Sequence, residues 1–320
     1  MKNFIAVAFI FLAACTSTPT PVFDPTAPPL PTNTPSPVLP TSTETILPTA
    51  AQTLTADPSP TAESLTHRVS TVDQMPQVYI PAGTFRMGGM DVRRAPNELP
   101  EHDVTLDAFW MDQLEVTNAM YGLCVSASVC TLPQELKSQR RPEYFLSPEF
   151  KDYPVVYVTW GQAKTYCEWA GRRLPTEAEW ERAGRGDDFR TFPWGEDKAN
   201  GLLANFNMLV GDTSRVGTYP AGASPFGVLD IAGNVAEWVH DYYSFDYSNV
   251  LEITLNPTGP ETSSSLHRVV RGGSLGDAEI NIRVAKRSSV LGSNLSARPD
   301  SNAYLGDSSP RIGFRCAQDE

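Results

Sequence analysis

The sequence predicts an α+β domain low in regular secondary structure, carried behind an export leader and a Pro/Thr-rich tether. Three observations predict it. Helical signals are few, and each opens on a threonine. Short apolar runs, such as Val78-Tyr79-Ile80 and Val155-Val156-Tyr157-Val158, are cut apart by Gly and Pro. Residues 184–235 are rich in turn formers and hold no sustained period, a length of irregular chain that calls for staples from disulfides or ions.

Taken in order, the chain opens with Lys2 and an apolar run from Phe4 to Ala14. That run is roughly half of what a helix needs to cross a bilayer, so residues 1–14 read as a signal peptide. It ends in Leu12-Ala13-Ala14-Cys15, which resembles the lipobox of bacterial lipoproteins, and this implies a lipid on the Cys15 thiol. The implied place is extracytoplasmic, on a membrane surface. From Thr16 to about Thr66 the chain is dominated by Pro, Thr, Ser and Ala, which cannot offset the entropy of ordering and favour an extended spacer. We assign 15–74 to the lipidated cysteine and tether, and 75–318 to the folded domain.

The whole chain carries −12. Setting aside the four tether carboxylates (Asp24, Glu44, Asp57, Glu63) and the charge of Lys2 leaves −9 for the remainder. An acidic domain argues against nucleic acid and is compatible with divalent cations. With Cys15 assigned to lipid, Cys124, Cys130, Cys167 and Cys316 remain, an even set that suggests two disulfides with three connectivities open. Cys124 and Cys130 would close a small local loop, which would leave Cys167 with Cys316. No Cys or His spacing suggests zinc, and His67, His102, His240 and His267 are scattered.

Thr117 is placed to cap a helix through Asn118, Met120, Tyr121 and Cys124. Thr159 opens a second through Ala163, Tyr166, Cys167 and Ala170. Thr176 with Glu179 forms a capping-box pattern at the head of a third, Glu177 to Ala183.

Several segments match one family in consistent order. They include residues 78–88, Glu115-Val116-Thr117-Asn118, the run from Arg173 to Glu181, and Pro193-Trp194-Gly195. They continue with Phe226 to Trp238, Arg271-Gly272-Gly273-Ser274 and Gly313-Phe314-Arg315-Cys316. Together these resemble the formylglycine-generating enzyme family, the sulfatase-modifying factor domain. The resemblance implies a single domain with that family's variant of the C-type-lectin fold, and a structural disulfide at Cys167 and Cys316. It also implies two structural Ca²⁺ sites. One falls on Asp230, the carbonyls of Gly233 and Val235, and Glu237. The other falls on Asn205, the carbonyl of Phe206, Asp212 and the carbonyl of Ser214. Carboxylates, amides and backbone carbonyls are the hard oxygen donors calcium takes.

Active members of the family hold copper on two cysteines that follow the Gly-Gly-Ser motif and oxidise a substrate cysteine to formylglycine. Here those positions fall near Asp277 and Ile282, and neither supplies a soft thiolate. The sequence therefore predicts no copper site of that kind. It carries no His-rich helical module such as the sulfoxide synthases of the family use.

Arg283, Arg287, Arg311 and Arg315 are expected mostly as buried partners of Glu179, Glu181 or Glu237. Trp110, Trp160, Trp169, Trp180, Trp194 and Trp238 are expected mostly in the core. The polar segment 288–310 is the preferred recognition surface. The reading that results is a surface-anchored, non-catalytic recognition or scaffold domain for a protein, peptide or glycan. Its alternative is an oxidoreductase of the family using a non-standard site.

Overall fold

Threonine caps decide where the helices begin. In the computed structural model, which describes residues 66–89, 91–247, 254–293 and 306–320, the Thr117 hydroxyl accepts from Met120 N at the head of α1 (Asn118–Ser126). Thr159 and Gln162 form a reciprocal capping box on α2 (Trp160–Trp169), and Thr176 and Glu179 form another on α3 (Glu177–Arg185). The third helix runs two residues beyond Ala183, to Arg185. It stops at Gly186, whose φ of 76° an L side chain rarely adopts. The leader, Cys15 and the tether up to residue 65 lie outside the described residues, as do Asn294, Ser296 and Asn302 of the 288–310 segment.

Three sheets surround these helices. The first runs β1 (His67–Val69), β2 (Pro76–Ile80), β5 (Phe109–Asp112), β10 (Ala317–Asp319), all antiparallel. A hairpin-like pair joins β3 (Gly83–Met87) to β4 (His102–Leu106). The third sheet runs β8 (Arg287–Leu291), β7 (His267–Arg271), β6 (Ala236–Tyr242), β9 (Ile312–Phe314), with β9 parallel to β6. Few helices and many short strands are what the sequence predicts, and past the end of α3 the irregular stretch 184–235 carries only one short 3₁₀ turn, at Pro220–Gly222.

The tether boundary needs correcting. Residues 67–74 belong to the folded domain: β1 pairs with β2, and Asp73 is buried against Arg172 and Tyr166. The three valines of the run Val155–Val158 are buried, with Tyr157 half-buried, and the run is not a strand. It is held by a bridge between Pro154 and Thr117, and Tyr157 sits at φ 57°.

Apolar burial falls into two large clusters. One gathers Tyr121, Trp160, Tyr166, Trp238 and Phe314 around α1 and α2; the other gathers Phe85, Phe109, Met111, Trp180 and Val269. Both disulfides join the first cluster: Cys124–Cys130 closes the loop after α1, and Cys167–Cys316 ties α2 to the junction between β9 and β10. Among the described residues no helix is long and apolar enough to cross a membrane.

Candidate functional site

Helix α3 has the composition of a solvated helix, yet all nine of its residues are buried. Its charges are answered one by one. Glu177 takes both arms of Arg287 (2.6 and 2.9 Å), Glu179 both arms of Arg173 (2.7 Å each), and Glu181 pairs with Arg271 and Arg185. Arg182 reaches Asp187 at 3.3 Å. Such pairing lets charged groups leave water without an uncompensated cost. The same logic places Arg283 on Glu98 (2.7 and 2.9 Å) and Arg315 on Glu237 (2.7 and 2.8 Å). Three of the four singled-out arginines are thus buried ion-pair partners, although only Arg315 takes an expected glutamate. Arg311 instead donates to Gln139. Trp160, Trp180 and Trp238 are buried, while Trp110, Trp169 and Trp194 are half-buried.

The loops that carry the expected ion ligands meet at Asn234. This residue sits at φ 52°. Its backbone N–H donates to the Asn205 carbonyl (2.7 Å), and its side-chain oxygen accepts from Ser214 N (2.8 Å) and Asn205 Nδ2 (3.3 Å). Its Nδ2 donates to Glu115 Oε2 (2.6 Å). The neighbouring Gly233 is at φ 81°, and a Cβ there would run into the Asn205 carbonyl. The structure therefore brings Asn205, Ser214, Gly233 and Val235 together, with Asp212 joined through its carbonyl, which accepts from Asn205 Nδ2 (2.9 Å). The Phe206 carbonyl is used by a turn, accepting from Leu209 N.

Two buried oxygens in this cluster have no hydrogen-bond partner: Asp230 Oδ1 and Asn205 Oδ1. One belongs to each expected calcium site, and hard oxygens left unpaired in the interior suit a cation. Burial pushes the Asp230 carboxyl up to about 6, against the Gly217 N–H that donates to it at 2.5 Å. Burial, then the charges of Asp230 and Glu237, raises the neighbouring Glu115 well above the usual carboxylate range. Three buried carboxylates share the single guanidinium of Arg315 there, which a bound cation would balance. Two expected ligands fit less well. Glu237 is taken up by Arg315 and Trp180 Nε1, and Asp212 by Ser138 Oγ, Arg140 N and Thr213 N. Among the described residues no three His, Cys, Asp or Glu side chains converge as a metal cage. Any calcium would be held by Asp230 and Asn205 with backbone carbonyls.

The positions expected for copper thiols have other work. Asp277 accepts from Ser274 N (2.8 Å) and Ser274 Oγ (2.7 Å), closing the turn after the Gly-Gly-Ser motif. Ile282 is buried with Phe192, Ala204, Phe206 and Ala232. All four described cysteines are in disulfides. These residues do not fit Cu(I).

Sequence reasoning passed over the role of Glu115, whose buried carboxylate receives Asn234 and Val235 N. Its presence in the Glu115–Asn118 motif, just before a capped helix, was the available signal. It also passed over Asp73, Asp112 and Arg172, a buried network that pairing geometry alone reveals.

Residues 62–320 match the family of the sulfatase-modifying factor enzyme 1-like domain. The chain is 34% identical over 297 residues to the formylglycine-generating enzyme of Mus musculus, with 76% of the chain and 74% of that protein covered. It is 33% identical over 233 residues to the hercynine oxygenase of Mycolicibacterium smegmatis, with 62% of the chain and 53% of that protein covered. The solved structure of PvdO from Pseudomonas aeruginosa superposes with a TM-score of 0.64 at 27% identity, covering 80% of the chain and 98% of PvdO.

Proposed function

The chain belongs to the family of the formylglycine-generating enzymes, with the family's variant of the C-type-lectin fold and relatives of oxidoreductase type, and from that premise we propose that it is a recognition or scaffold domain without the copper-dependent oxidation. The observation that carries this reading is the fate of the two thiol positions: Asp277 caps Ser274, and Ile282 packs in the core. A hard carboxylate and a hydrocarbon supply no soft ligand pair. Calcium at Asp230 and Asn205 fits as a staple of the irregular loops, and a protein, peptide or glycan is the ligand class. Display on a membrane surface through Cys15 completes the proposal.

The test is direct. Purified protein is loaded with Cu(I) and given a peptide bearing a Cys-x-Pro-x-Arg motif. The expected result is an unchanged peptide mass; a mass loss matching thiol-to-aldehyde conversion overturns the reading in favour of the oxidoreductase alternative that the relatives' names suggest. Cys15→Ser is expected to move the protein from the membrane fraction to the soluble one, and retention in the membrane would remove the anchor.

A further inference from the structure

A cleft of about 770 Å³ opens where the Phe109 end of β5 meets the segment 173–176 and the segment 256–258. None of its lining residues belongs to the Gly272–Ile282 loop or to the Asn234 cluster. Its size lies within the range of ligand-binding clefts, roughly 300–1,000 Å³. We propose that this cleft binds an extended, positively charged peptide segment of a partner protein.

Charge supports the sign. Arg173 is the guanidinium in the lining, and it is already gripped by Glu179 and Asp319. Asp107 and Glu320 also line the cleft, and among the described residues neither has an ion-pair partner; Asp107 accepts only from Asn256 Nδ2 (2.7 Å) and keeps its second oxygen open. His240, on the same wall, is held below its usual pKa by burial and by Arg268 and Arg173, so at neutral pH it adds an acceptor and not a charge. The cleft repels anions.

Shape supports a peptide. Leu106, Phe109 and Leu174 are buried beneath the cleft, and the exposed Ala82 and half-buried Ala108 give it an apolar base. Lys and Arg side chains lay aliphatic stems on such a base and carry their charge to the rim. Tyr79 adds an aromatic ring, positioned against Trp110 (centroids 5.3 Å apart), which Arg68 covers from 4.1 Å. Along the same wall β10 is the edge of its sheet, and among the described residues it pairs outward only with Arg173, at Ala317. Beyond Ala317 the outward main-chain groups of Asp319 take no backbone partner among the described residues, and an extended peptide can dock through main-chain bonds of this kind.

Peptide binding here rests on the recognition role proposed above, and it is read apart from any copper or calcium chemistry. The full chain is titrated into fluorescein-labelled Gly-Lys-Val-Lys-Val-Gly and, separately, into the same peptide with glutamate in place of lysine, read by polarisation. The lysine peptide is expected to bind, more weakly as salt rises, and the glutamate peptide not to bind. The Asp107→Asn/Glu320→Gln variant is expected to weaken the lysine peptide by about tenfold. The exposed pair Glu143→Gln/Glu149→Gln, outside the cleft, is expected to leave it unchanged. No binding of the lysine peptide up to about 1 mM, equal binding of both peptides, or the same loss in both variants overturns the proposal.

Discussion

Arg315 lies bidentate against Glu237, both side chains fully buried, and its remaining hydrogens reach the carbonyls of Asp112, Gln113 and Leu229. One guanidinium thus joins the β6 strand, the end of β5 and the Asp230 loop. Glu237→Gln is expected to cost about 3–5 kcal/mol, because it removes the carboxylate that holds a buried guanidinium in a bidentate pair. Urea unfolding measures this. Glu237→Gln combined with Arg315→Met should cost less than the sum of the two single changes; strict additivity would show that the pair does not act as a unit.

Calcium has its own signature. Chelation is expected to lower the melting temperature by several degrees, since a ligand at a hundred times its Kd contributes about 2.7 kcal/mol and 1 kcal/mol moves a domain of this size by about 2–4 °C. Asp230→Ala should reduce the chelator-dependent shift, and Asp230→Ala with Asn205→Ala should remove it. A wild-type melting curve indifferent to chelator would remove the ion from the account.

Arg172 serves two buried carboxylates, and their pKa values are shifted in opposite directions. Burial raises the Asp112 carboxyl to about 6 despite Arg172. For Asp73 burial also opposes the charge, but Arg172 and the Tyr166 hydroxyl overcome it and hold the carboxyl below its usual range. A raised carboxyl binds its proton more tightly when folded. The Asp112 contribution is therefore complete below pH ~4 and lost as pH rises through about 6, on the order of 3 kcal/mol. The Asp73 contribution is present above the usual Asp range and lost as pH falls. The advantage of wild type over Asp112→Asn, from unfolding midpoints, should be larger at pH ~4 than at pH ~7. A constant or reversed difference would contradict the assignment.

Reducing the disulfides should weaken the domain unequally. Cys167–Cys316 spans 149 residues of sequence and Cys124–Cys130 spans six. Replacing the first pair by serine is expected to cost about 2–5 kcal/mol and the second distinctly less, because closing a longer loop removes more entropy from the unfolded chain. Equal losses in thermal unfolding would argue against that ordering.

What the sequence made legible was local or carried by motif. Thr117, Thr159 and Thr176 mark their helices because a cap needs only residues three positions apart. The three residues of β1 give no such signal. They follow the Pro/Thr-rich run directly, and their strand character comes from β2 across the sheet. Pairings between distant charges were hidden for the same reason: nothing near Arg287 or Arg283 says that its partner is Glu177 or Glu98, 110 and 185 positions away. At the candidate site the ligand types could be read from the motif around Asp230. That Arg315 would choose Glu237 among the three expected glutamates, and that Asn234 would be the hub, follows only from packing.

The order of the strands has a consequence for how the domain is finished. Strands β9 and β10 close the edges of two different sheets, and the residues between them supply both Arg315 and Cys316. A chain delivered N-terminus first would have Glu237 unpaired, Cys167 unbridged and two sheets each one strand short until residues 311–319 arrive. Contacts this distant in sequence form slowly and late. The domain's completion is in this sense gated by its last segment, so a truncated chain should linger as an unfinished and protease-sensitive species and not as a smaller folded one.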